Sequence, residues 1–538
     1  MENSFDICII GSGAGAGPIA YELSLAGAKV VVLEKGEHYK REDFSKDEIA
    51  YTKRDIVTPS LKDEYHTIIE GEEIYTSTEA NWSFWNGSLV GGASNFMSGF
   101  FHRLDPDDFR LSSKLGKIDG ANLADWPISY DELSPFYDKV EKIVGVSGKD
   151  TKKDKFPFTP TTEHPIVDLI DKSCEKLGFT SDTTPRAILS KEKDERSACY
   201  YSNYCGSYGC SSGAKGSSRE ALLNPALKSG NLTILSECFV TKLNEKDKQV
   251  ISATYIDKKD KKTKTIKAKT FVVAAQAIES SRLLLNSKSK NFPNGLGNNS
   301  GQVGKNLLFS GGGVVTGTFD NDSFPIDKLL VKGYFVNRVV RDFYFLDEKT
   351  KGGILELLFE HANPIRKANS VKWEEDGKLV WGKDLYKALH KRFRESKKLN
   401  IEIFNDWYPN DRCSVAIDEK RKDKYGVNAA KVDIYSHPLN EKTGDKLAVH
   451  AIDLLKQMGA KDISGSISPY PPVNLQAGGC RFGDNSTTSV LDKNCKSHEV
   501  SNLYVTDGSF MPNGGSVPYT FTIYANSFRV AHFLKNNL

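Results

Sequence analysis

The stretch FDICIIGSGAGAGPIAYELSLAGAKVVVLEKG, residues 5–36, gives the clearest indication of the fold class of this chain. It begins with an apolar strand over 5–10, passes through a glycine turn into a helix that reaches about Ala26, and ends with a second strand over 29–33. A strand, a tight turn, a helix and a second strand in this order are typical of a βαβ unit. Pro18 supports the helix, because the first turn of a helix does not need the missing N–H.

The glycine turn has the spacing of a dinucleotide-binding loop, G-x-G-x-x-G/A. Its six residues are Gly11, Ser12, Gly13, Ala14, Gly15 and Ala16. The pattern predicts a tight turn at Gly11, close approach of the Gly13 backbone to a pyrophosphate, and close packing at Ala16. Glu34 ends the second strand 21 residues after Gly13, where a carboxylate accepts hydrogen bonds from both ribose hydroxyls and repels a 2′-phosphate. These residues predict FAD or NAD binding and disfavour NADP.

Length and composition limit the class of protein. The 538 residues exceed the roughly 250 to 300 that one hydrophobic core serves, which indicates two domains. The 73 Lys and Arg nearly balance the 70 Asp and Glu and are spread along the chain, which argues against a nucleic-acid partner. No apolar run reaches the about 18 residues of a membrane span, and no leader pattern precedes the first strand, so a cytoplasmic protein without a membrane span is expected.

The remaining segments predict an α/β protein with two kinds of sheet. Strand-to-helix patterns recur over 232–240 and 270–286 and extend the nucleotide-binding fold. Between about 311 and 465, short strand patterns alternate with charged turns, which predicts a mainly antiparallel second sheet. After 465 the pattern returns to α/β style, so the first domain is expected to be built from distant parts of the chain.

Three further segments separate FAD from NAD. They are VGGASNFMSGFFHR (90–103), GQVGKNL (301–307) and NLYVTDGSFMPNGGSVPYTFTIYANSFRVA (502–531). With the glycine turn, and in the same order, they resemble the glucose-methanol-choline (GMC) flavin oxidoreductases over essentially the full length. The segment CYYSNYCGSYGCSSGAKGSS (199–218) and WPISYDEL from Trp126 are most similar to the bacterial sugar, polyol and aminoglycoside-precursor dehydrogenases and oxidases of that family.

The resemblance implies a discontinuous Rossmann-type FAD-binding domain plus a mainly antiparallel-sheet (α+β) substrate domain. The boundaries that we predict are 1–110, 199–310 and 466–538 for the FAD-binding domain, 111–198 for an excursion and 311–465 for the substrate domain. The implied reaction takes a small-molecule substrate, a sugar-like or other polar cyclic alcohol, and transfers hydride from its CH–OH group to flavin N5. Oxygen, a quinone or a protein stay open as electron acceptors.

The resemblance also implies which residues contact the flavin. Ser94, Asn95, Met97 and Ser98 are expected along the isoalloxazine, Val240 near the adenine, and Asp507 and Gly508 at the pyrophosphate and ribityl chain. Phe96 stands where some relatives carry a flavin-linking histidine, so non-covalent FAD is expected.

The usual catalytic pair of the family is missing. The stretch LQAGGCRFG, 475–483, has Leu475 at the position of the histidine, and Pro518 takes the position of the second partner. Neither side chain can accept a proton. The candidate substitutes are Asn474, Gln476, Tyr519 and His102, although amides are not bases and a tyrosine pKa near 10 is high. Three functions stay open: alcohol oxidation, flavin chemistry without an alcohol base (a decarboxylase, a dehydratase or isomerase, or C–C or C–N dehydrogenation), and FAD as a structural element of a non-enzymatic protein.

The nine cysteines do not form a disulfide framework, because they are odd in number and mostly far apart in the sequence. Cys199, Cys205 and Cys210 are clustered with the spacing C-x5-C-x4-C, which is not that of a zinc ribbon or a redox pair. Some sugar dehydrogenases of the resembled family carry an iron–sulfur cluster on a comparable stretch. The trio is therefore interpreted as packed thiols, with a cluster as the alternative.

Overall fold

The computed structural model describes residues 5–49, 64–80, 84, 86–151, 155–206, 208–374, 376–467 and 475–537. Its helices in these ranges are α1 (Gly17–Leu25), α2 (Leu111–Leu115), α3 (Tyr130–Val140), α4 (Val167–Leu177), α5 (Asn224–Leu227), α6 (Ala277–Asn286), α7 (Ile326–Leu329), α8 (Pro364–Ser370), α9 (Gly382–His390), α10 (Pro438–Gln457) and α11 (Thr520–Lys535). Its strands there are β1 (Phe5–Ile10), β2 (Val30–Leu33), β3 (Thr67–Glu70), β4 (Glu73–Thr76), β5 (Ser181–Thr183), β6 (Leu232–Leu235), β7 (Cys238–Lys246), β8 (Gln249–Asp257), β9 (Lys262–Ile266), β10 (Ala268–Val273), β11 (Lys305–Leu308), β12 (Gly313–Asp320), β13 (Arg338–Val340), β14 (Phe345–Asp347), β15 (Thr350–Lys351), β16 (Gly353–Phe359), β17 (Ser396–Asn405), β18 (Ser414–Lys422), β19 (Asn428–Ile434), β20 (Lys461–Ile467), β21 (Ala477–Gly479) and β22 (Leu503–Val505).

A parallel sheet of five strands, in the order β22-β10-β1-β2-β6, forms the centre of the first domain. Ile7 of β1 pairs with Val30 of β2 on one side and with Thr270 of β10 on the other. The central strands are apolar and buried, as is typical of a parallel sheet covered on both faces. Because β22 joins strands from the opposite part of the sequence, the predicted discontinuous α/β domain with its βαβ unit is confirmed.

One prediction within this domain is wrong. The segment 270–286 is a strand followed by a helix, as expected, but 232–240 contains no helix and passes from β6 into β7. Glu237 has a φ of +59°, and this left-handed residue turns the chain into an antiparallel sheet of β7, β8 and β9. A short apolar run does not tell a strand from a buried helix segment, which is why the sequence pattern misled.

A six-stranded antiparallel sheet, in the order β20-β12-β17-β16-β13-β5, forms the second domain and confirms the second sheet prediction. One face of this sheet packs against α10, where Leu399 and Ile401 of β17 meet Leu454 in an apolar core. The other face contacts the first domain, since Ile354 of β16 belongs to that domain's core. The sheet therefore lies between α10 on one face and the first domain on the other.

The two domains are interleaved in the sequence. β5 lies within the predicted excursion, yet its Ser181 pairs with Val340 in the six-stranded sheet. β18 and β19 come from the predicted substrate segment, yet Val432 of β19 pairs with Ile68 of β3 in a separate four-stranded sheet. The domain boundaries themselves stay a prediction.

Candidate active site

A cleft of about 280 Å³ opens at the carboxyl ends of β1, β2 and β10, where open α/β sheets bind their ligands. Its walls come from segments that are far apart in the sequence: 10–15, 33–35, 86–97, 238–241, 274–286, 475–476, 507–508 and 519–523. One end of the cleft is therefore formed by the glycine turn, and the segments with the missing catalytic pair line it as well.

The glycine turn is shaped by close backbone contacts. Gly11 has a φ of +92°, and a Cβ there would lie 2.3 Å from the carbonyl oxygen of Ala274. A Cβ on Gly15 would lie 2.7 Å from the backbone of Asp507. A Cβ on Gly13 would meet no protein atom within 4 Å, so this glycine borders open space in the cleft. The backbone of Gly13 can therefore be approached closely by a ligand, as the binding of a pyrophosphate requires.

Glu34 closes the nucleotide end of the cleft. Its Oε2 accepts a hydrogen bond from the Ser12 hydroxyl at 2.5 Å, and its Oε1 accepts one from the Gly36 amide at 2.9 Å. Burial raises the pKa of Glu34, although these two donors oppose the rise. Each carboxylate oxygen keeps a further lone pair, so the group can accept hydrogen bonds from a ribose diol.

The four predicted flavin-contact residues of the loop 91–98 lie in different surroundings. Ser94 and Met97 line the cleft. The amide of Asn95 instead donates to the carbonyl oxygens of Val90 and Gly92, at 3.1 and 2.9 Å, and shapes the loop. Ser98 borders a second, smaller cavity of about 90 Å³. Their roles toward a flavin stay predictions.

The remaining predicted cofactor residues lie as follows. Val240, Ala14 and Gly508 line the cleft, whereas Ala16 is fully buried behind the turn. Asp507 lines the cleft too, but its carboxylate accepts hydrogen bonds from the amides of Gln276 and Ser509 at 3.1 and 2.9 Å. Asp507 therefore organises the neighbouring turns through its side chain, and its role toward a cofactor stays a prediction.

The positions of the usual catalytic pair and of its predicted substitutes have different surroundings, and their catalytic roles stay predictions. Leu475 lines the cleft with a φ of +80°, and Pro518 is buried. The Tyr519 hydroxyl donates to the carbonyl oxygen of Phe309 at 2.5 Å, and burial holds its pKa well above the usual value. Gln476 lines the cleft and accepts a hydrogen bond from Gln276. Asn474 lies outside the described residues.

His102 does not line the cleft. Its Nε2–H donates to Glu356 Oε2 at 2.9 Å, and both side chains are almost completely buried. Burial lowers the pKa of His102, an effect that the Glu356 carboxylate only partly offsets. His102 therefore donates its Nε2 proton to a carboxylate, and its role in catalysis stays a prediction.

The three clustered cysteines are partly buried. Cys199, Cys205 and Cys210 contact one apolar cluster that contains Phe158 and Leu189. Burial raises the pKa of Cys199 to about 12. Within the part of the chain that the structure describes, no group of three or more His, Cys, Asp or Glu side chains has the geometry of a metal site. Packed thiols, with a cluster as the alternative, stay a prediction.

Sequence reasoning missed Gln276. It has a φ of +85°, lines the cleft, and caps α6 by accepting a hydrogen bond from the Ile278 amide at 3.0 Å. The signal was present in TFVVAAQAIESS, because a polar residue at the end of a parallel strand faces the ligand edge of the sheet. It also missed the buried ion pair of Arg282 with Asp423, 2.6 Å apart, at the same wall.

Comparison with known proteins decides the family. The sequence profile of the GMC oxidoreductase family matches residues 65–309 with its N-terminal part and 409–527 with its C-terminal part, which is more than half of the chain. The chain belongs to the GMC oxidoreductase family. Membership confirms the resemblance inferred from the sequence and makes the chain an FAD-dependent oxidoreductase.

Relatives match this GMC oxidoreductase over nearly its whole length. Paromamine 6′-oxidase from Streptomyces fradiae is 29% identical over 99% of this chain and 92% of its own. The 2-methyl-1,2-propanediol dehydrogenase of Mycolicibacterium austroafricanum is 28% identical over 98% and 95%. A solved structure of formate oxidase from Aspergillus oryzae has a TM-score of 0.65 at 14% identity, covering 100% of this chain and 99% of its own. The structural similarity shows that the GMC fold is shared.

The residues of the cleft fit the FAD that the family binds. Gly13 leaves space for a pyrophosphate and Glu34 has free lone pairs for a ribose. Phe96 borders the cleft and packs with Phe44 and Tyr208. Its phenyl ring is not a nucleophile.

Among the described residues, no helix combines the length and apolar character needed to cross a bilayer.

Proposed function

We propose that this chain oxidises the CH–OH group of a sugar-like or other polar cyclic substrate and holds its FAD without a covalent link. The observation that carries the proposal is one cleft that joins the FAD-type glycine turn to Leu475 and Tyr519, the segments of the family's catalytic pair. Two of the relatives named above act, by their names, on paromamine and on 2-methyl-1,2-propanediol. Phe96 supports a non-covalent cofactor, because a phenyl ring forms no bond to a flavin.

The residues of this chain bind and orient, while the cofactor accepts electrons. Bound FAD supplies an acceptor for the hydride that leaves a carbinol carbon. Glu34 and the Gly13 backbone hold the nucleotide end, and Met97 with Leu475 gives the cleft an apolar wall that excludes water. Exclusion of water protects a reduced cofactor from side reactions.

Anaerobic mixing with candidate alcohols tests the proposal. A panel of polyols, sugars, amino sugars and aminocyclitols is added to the FAD-loaded enzyme, and the flavin absorbance is followed. At least one member is expected to bleach the flavin, and the deoxy analogue of that member, which lacks the oxidised hydroxyl, is expected to leave it unchanged. A broad panel that never reduces the flavin would contradict alcohol oxidation. Release of the FAD on acid precipitation tests the absence of a covalent link.

A second function is favoured by one specific observation, the pair Leu475 and Pro518. Flavoenzymes that decarboxylate, dehydrate, isomerise, or dehydrogenate C–C or C–N bonds need no base for an alcohol proton. The double variant Leu475→His with Pro518→Asn separates the two functions. If alcohols reduce its flavin but not that of the wild type, the lost pair accounts for the wild type's inactivity; if neither is reduced although FAD stays bound, the second function gains support.

A further inference from the structure

One glutamate of the six-stranded sheet faces the cofactor domain. Along β17, Leu399, Ile401 and Ile403 belong to the apolar core shared with α10. Side chains alternate between the two faces of a strand, so Glu402 points the opposite way. Phe404 points the same way as Glu402 and packs against the core of the first domain. Glu402 is partly exposed on this face.

Glu402 lies directly opposite a second glutamate. In the register of β16 and β17 its partner is Glu356, and on its other side β12 offers only Val314. Directly opposed side chains have Cβ atoms about 4.5–5.5 Å apart, and like charges in such pairs destabilise a sheet. Departures from local stability rules of this kind concentrate at functional sites.

The two glutamates differ in their hydrogen bonds. Both carboxylate oxygens of Glu356 are hydrogen-bonded, because Oε2 accepts from His102 Nε2 at 2.9 Å and Oε1 accepts from the Thr184 hydroxyl at 2.6 Å. For Glu402, the charges of Glu356 and Arg186 are the interactions found among the described residues, with no hydrogen bond. Glu402 is therefore the carboxylate of this pair that is available to a ligand.

Arg186 connects Glu402 with the flavin loop. Its guanidinium donates to the carbonyl oxygen of Ser98 at 3.0 Å, and its positive charge acts on Glu402. Met97, the neighbour of Ser98, lines the cofactor cleft. The carboxylate of Glu402 thus lies on the sheet face that covers the loop along which the flavin is expected.

The surroundings adjust the proton affinity of Glu402. Burial raises its pKa to about 7, the negative charge of Glu356 adds to the rise, and the positive charge of Arg186 opposes it. A general base is most effective when its pKa lies near the operating pH. At neutral pH a large share of the molecules therefore carries an ionised Glu402 that can take a proton.

We propose that Glu402 is the catalytic base that accepts the hydroxyl proton of the substrate alcohol, a role for which Leu475 and Pro518 have no suitable group. This inference rests on the proposed function. The O–H bond breaks and its proton goes to the Glu402 carboxylate, while the C–H bond breaks and its hydride, with two electrons, goes to the oxidised FAD. The alcohol carbon and oxygen form a carbonyl group, so that atoms and electrons balance.

The variant Glu402→Gln removes the base and keeps the shape of the side chain. With an alcohol that reduces the wild-type flavin, we expect the anaerobic reduction rate to fall about 100-fold or more, the usual contribution of a general base. The FAD content and the substrate concentration at half-saturation are expected to stay near those of the wild type. The ionisation near neutral pH in the wild-type rate profile is expected to disappear, and Glu402→Asp is expected to restore it.

A second readout does not depend on turnover. Infrared difference spectra of the FAD-loaded enzyme without substrate, recorded across neutral pH, are expected to contain a carboxyl band that titrates near pH 7 and is missing in Glu402→Gln. Glu356→Gln serves as the neighbouring-carboxylate control. It is expected to keep this band but to move its titration to lower pH, because it removes the opposing negative charge.

The outcomes separate this inference from the proposed function. If no alcohol reduces the wild-type flavin, alcohol oxidation fails, and the base role fails with it whatever the infrared band shows. If the wild type is reduced and Glu402→Gln is reduced equally fast with the same pH profile, only the base role is overturned. The base role is also overturned if Glu402→Gln binds amine-bearing substrates more weakly but keeps the wild-type rate at saturation. Glu402 would then bind an ammonium group of the substrate.

Discussion

The two ends of the cleft are built in different ways. The nucleotide end uses backbone and a single acid from one βαβ unit: the Gly11–Gly15 turn and Glu34. The other end uses side chains from remote segments: Met97, Leu475 and Tyr519. Backbone geometry tolerates little change, whereas side chains can be replaced one at a time. For this reason a chain can keep an FAD site while the side chains of the family's catalytic pair change.

The largest expected effect tests the backbone character of the nucleotide end. In Gly13→Ala the new Cβ meets no protein atom within 4 Å and enters the space for the pyrophosphate. We expect a folded protein with the thermal unfolding temperature of the wild-type apoprotein. Its affinity for FAD is expected to fall by at least about 100-fold, near 3 kcal/mol. Flavin content after gel filtration and titration of the apoprotein with FAD measure the loss, and a variant that keeps its FAD contradicts the assigned turn.

A smaller loss is expected at the acid of the same end. Glu34→Gln keeps the size of the side chain but removes the charge that receives hydrogen bonds from a ribose. Hydrogen bonds to a charged group contribute about 1.5–3 kcal/mol, so FAD affinity is expected to fall by roughly 10- to 100-fold. Fluorescence titration with FAD and with ADP measures the change for both ligands. An equal affinity of wild type and variant for ADP would show that Glu34 does not contact the ribose.

The six-stranded sheet domain is expected to lose stability in acid. The fully buried His164 accepts a hydrogen bond from the Ile166 amide at 3.1 Å, and burial with the charge of Lys397 lowers its pKa to about 4. Because this value lies below the 6.5 of the unfolded chain, the unfolded state binds more protons between these values, and stability falls as the pH drops through that window.

The variant His164→Gln tests this acid sensitivity. Between neutral pH and pH 4 the wild type is expected to lose on the order of 2 kcal/mol more unfolding free energy than the variant does. Denaturant unfolding at several pH values measures the difference. The FAD content at neutral pH serves as the control and is expected to be unchanged. Parallel stability curves for the two proteins would contradict the prediction.

The smallest effect is expected from Tyr519, although it lines the cleft. In Tyr519→Phe the carbonyl oxygen of Phe309 loses its donor, which costs about 1 kcal/mol of unfolding free energy. The rate of flavin reduction is expected to stay within about twofold of the wild type, because a committed hydroxyl with a raised pKa takes no proton. A loss of rate as large as that expected for Glu402→Gln would return Tyr519 to the role of base.

Much of the cofactor site could be predicted from local sequence patterns. The βαβ unit, the glycine spacing and Glu34 lie within 32 residues, and hydrophobic periodicity reports such local structure directly. The antiparallel character of the second sheet was predicted for the same reason. The prediction for 232–240 was wrong, because Glu237 has a left-handed backbone conformation that redirects the chain. Hydrophobic periodicity does not report such a conformation. The pairing of β5 with β13 was also beyond reach, since neither strand alone specifies its partner.

The amino-acid sequence alone identified a GMC flavoprotein, and its resemblance to the family predicts Leu475 and Pro518 at the positions of the usual catalytic pair. The hydrogen-bond partners of the remaining polar groups became visible in the folded chain. His102 and Tyr519 are hydrogen-bonded to Glu356 and Phe309, while Glu402 lies beside Glu356 and has no hydrogen bond to any residue that the structure describes. The strands ILELLF and LNIEIF each carry one glutamate among apolar residues, which is a visible signal. Their meeting depends on strand register, and register is set by packing between distant segments that no local pattern records.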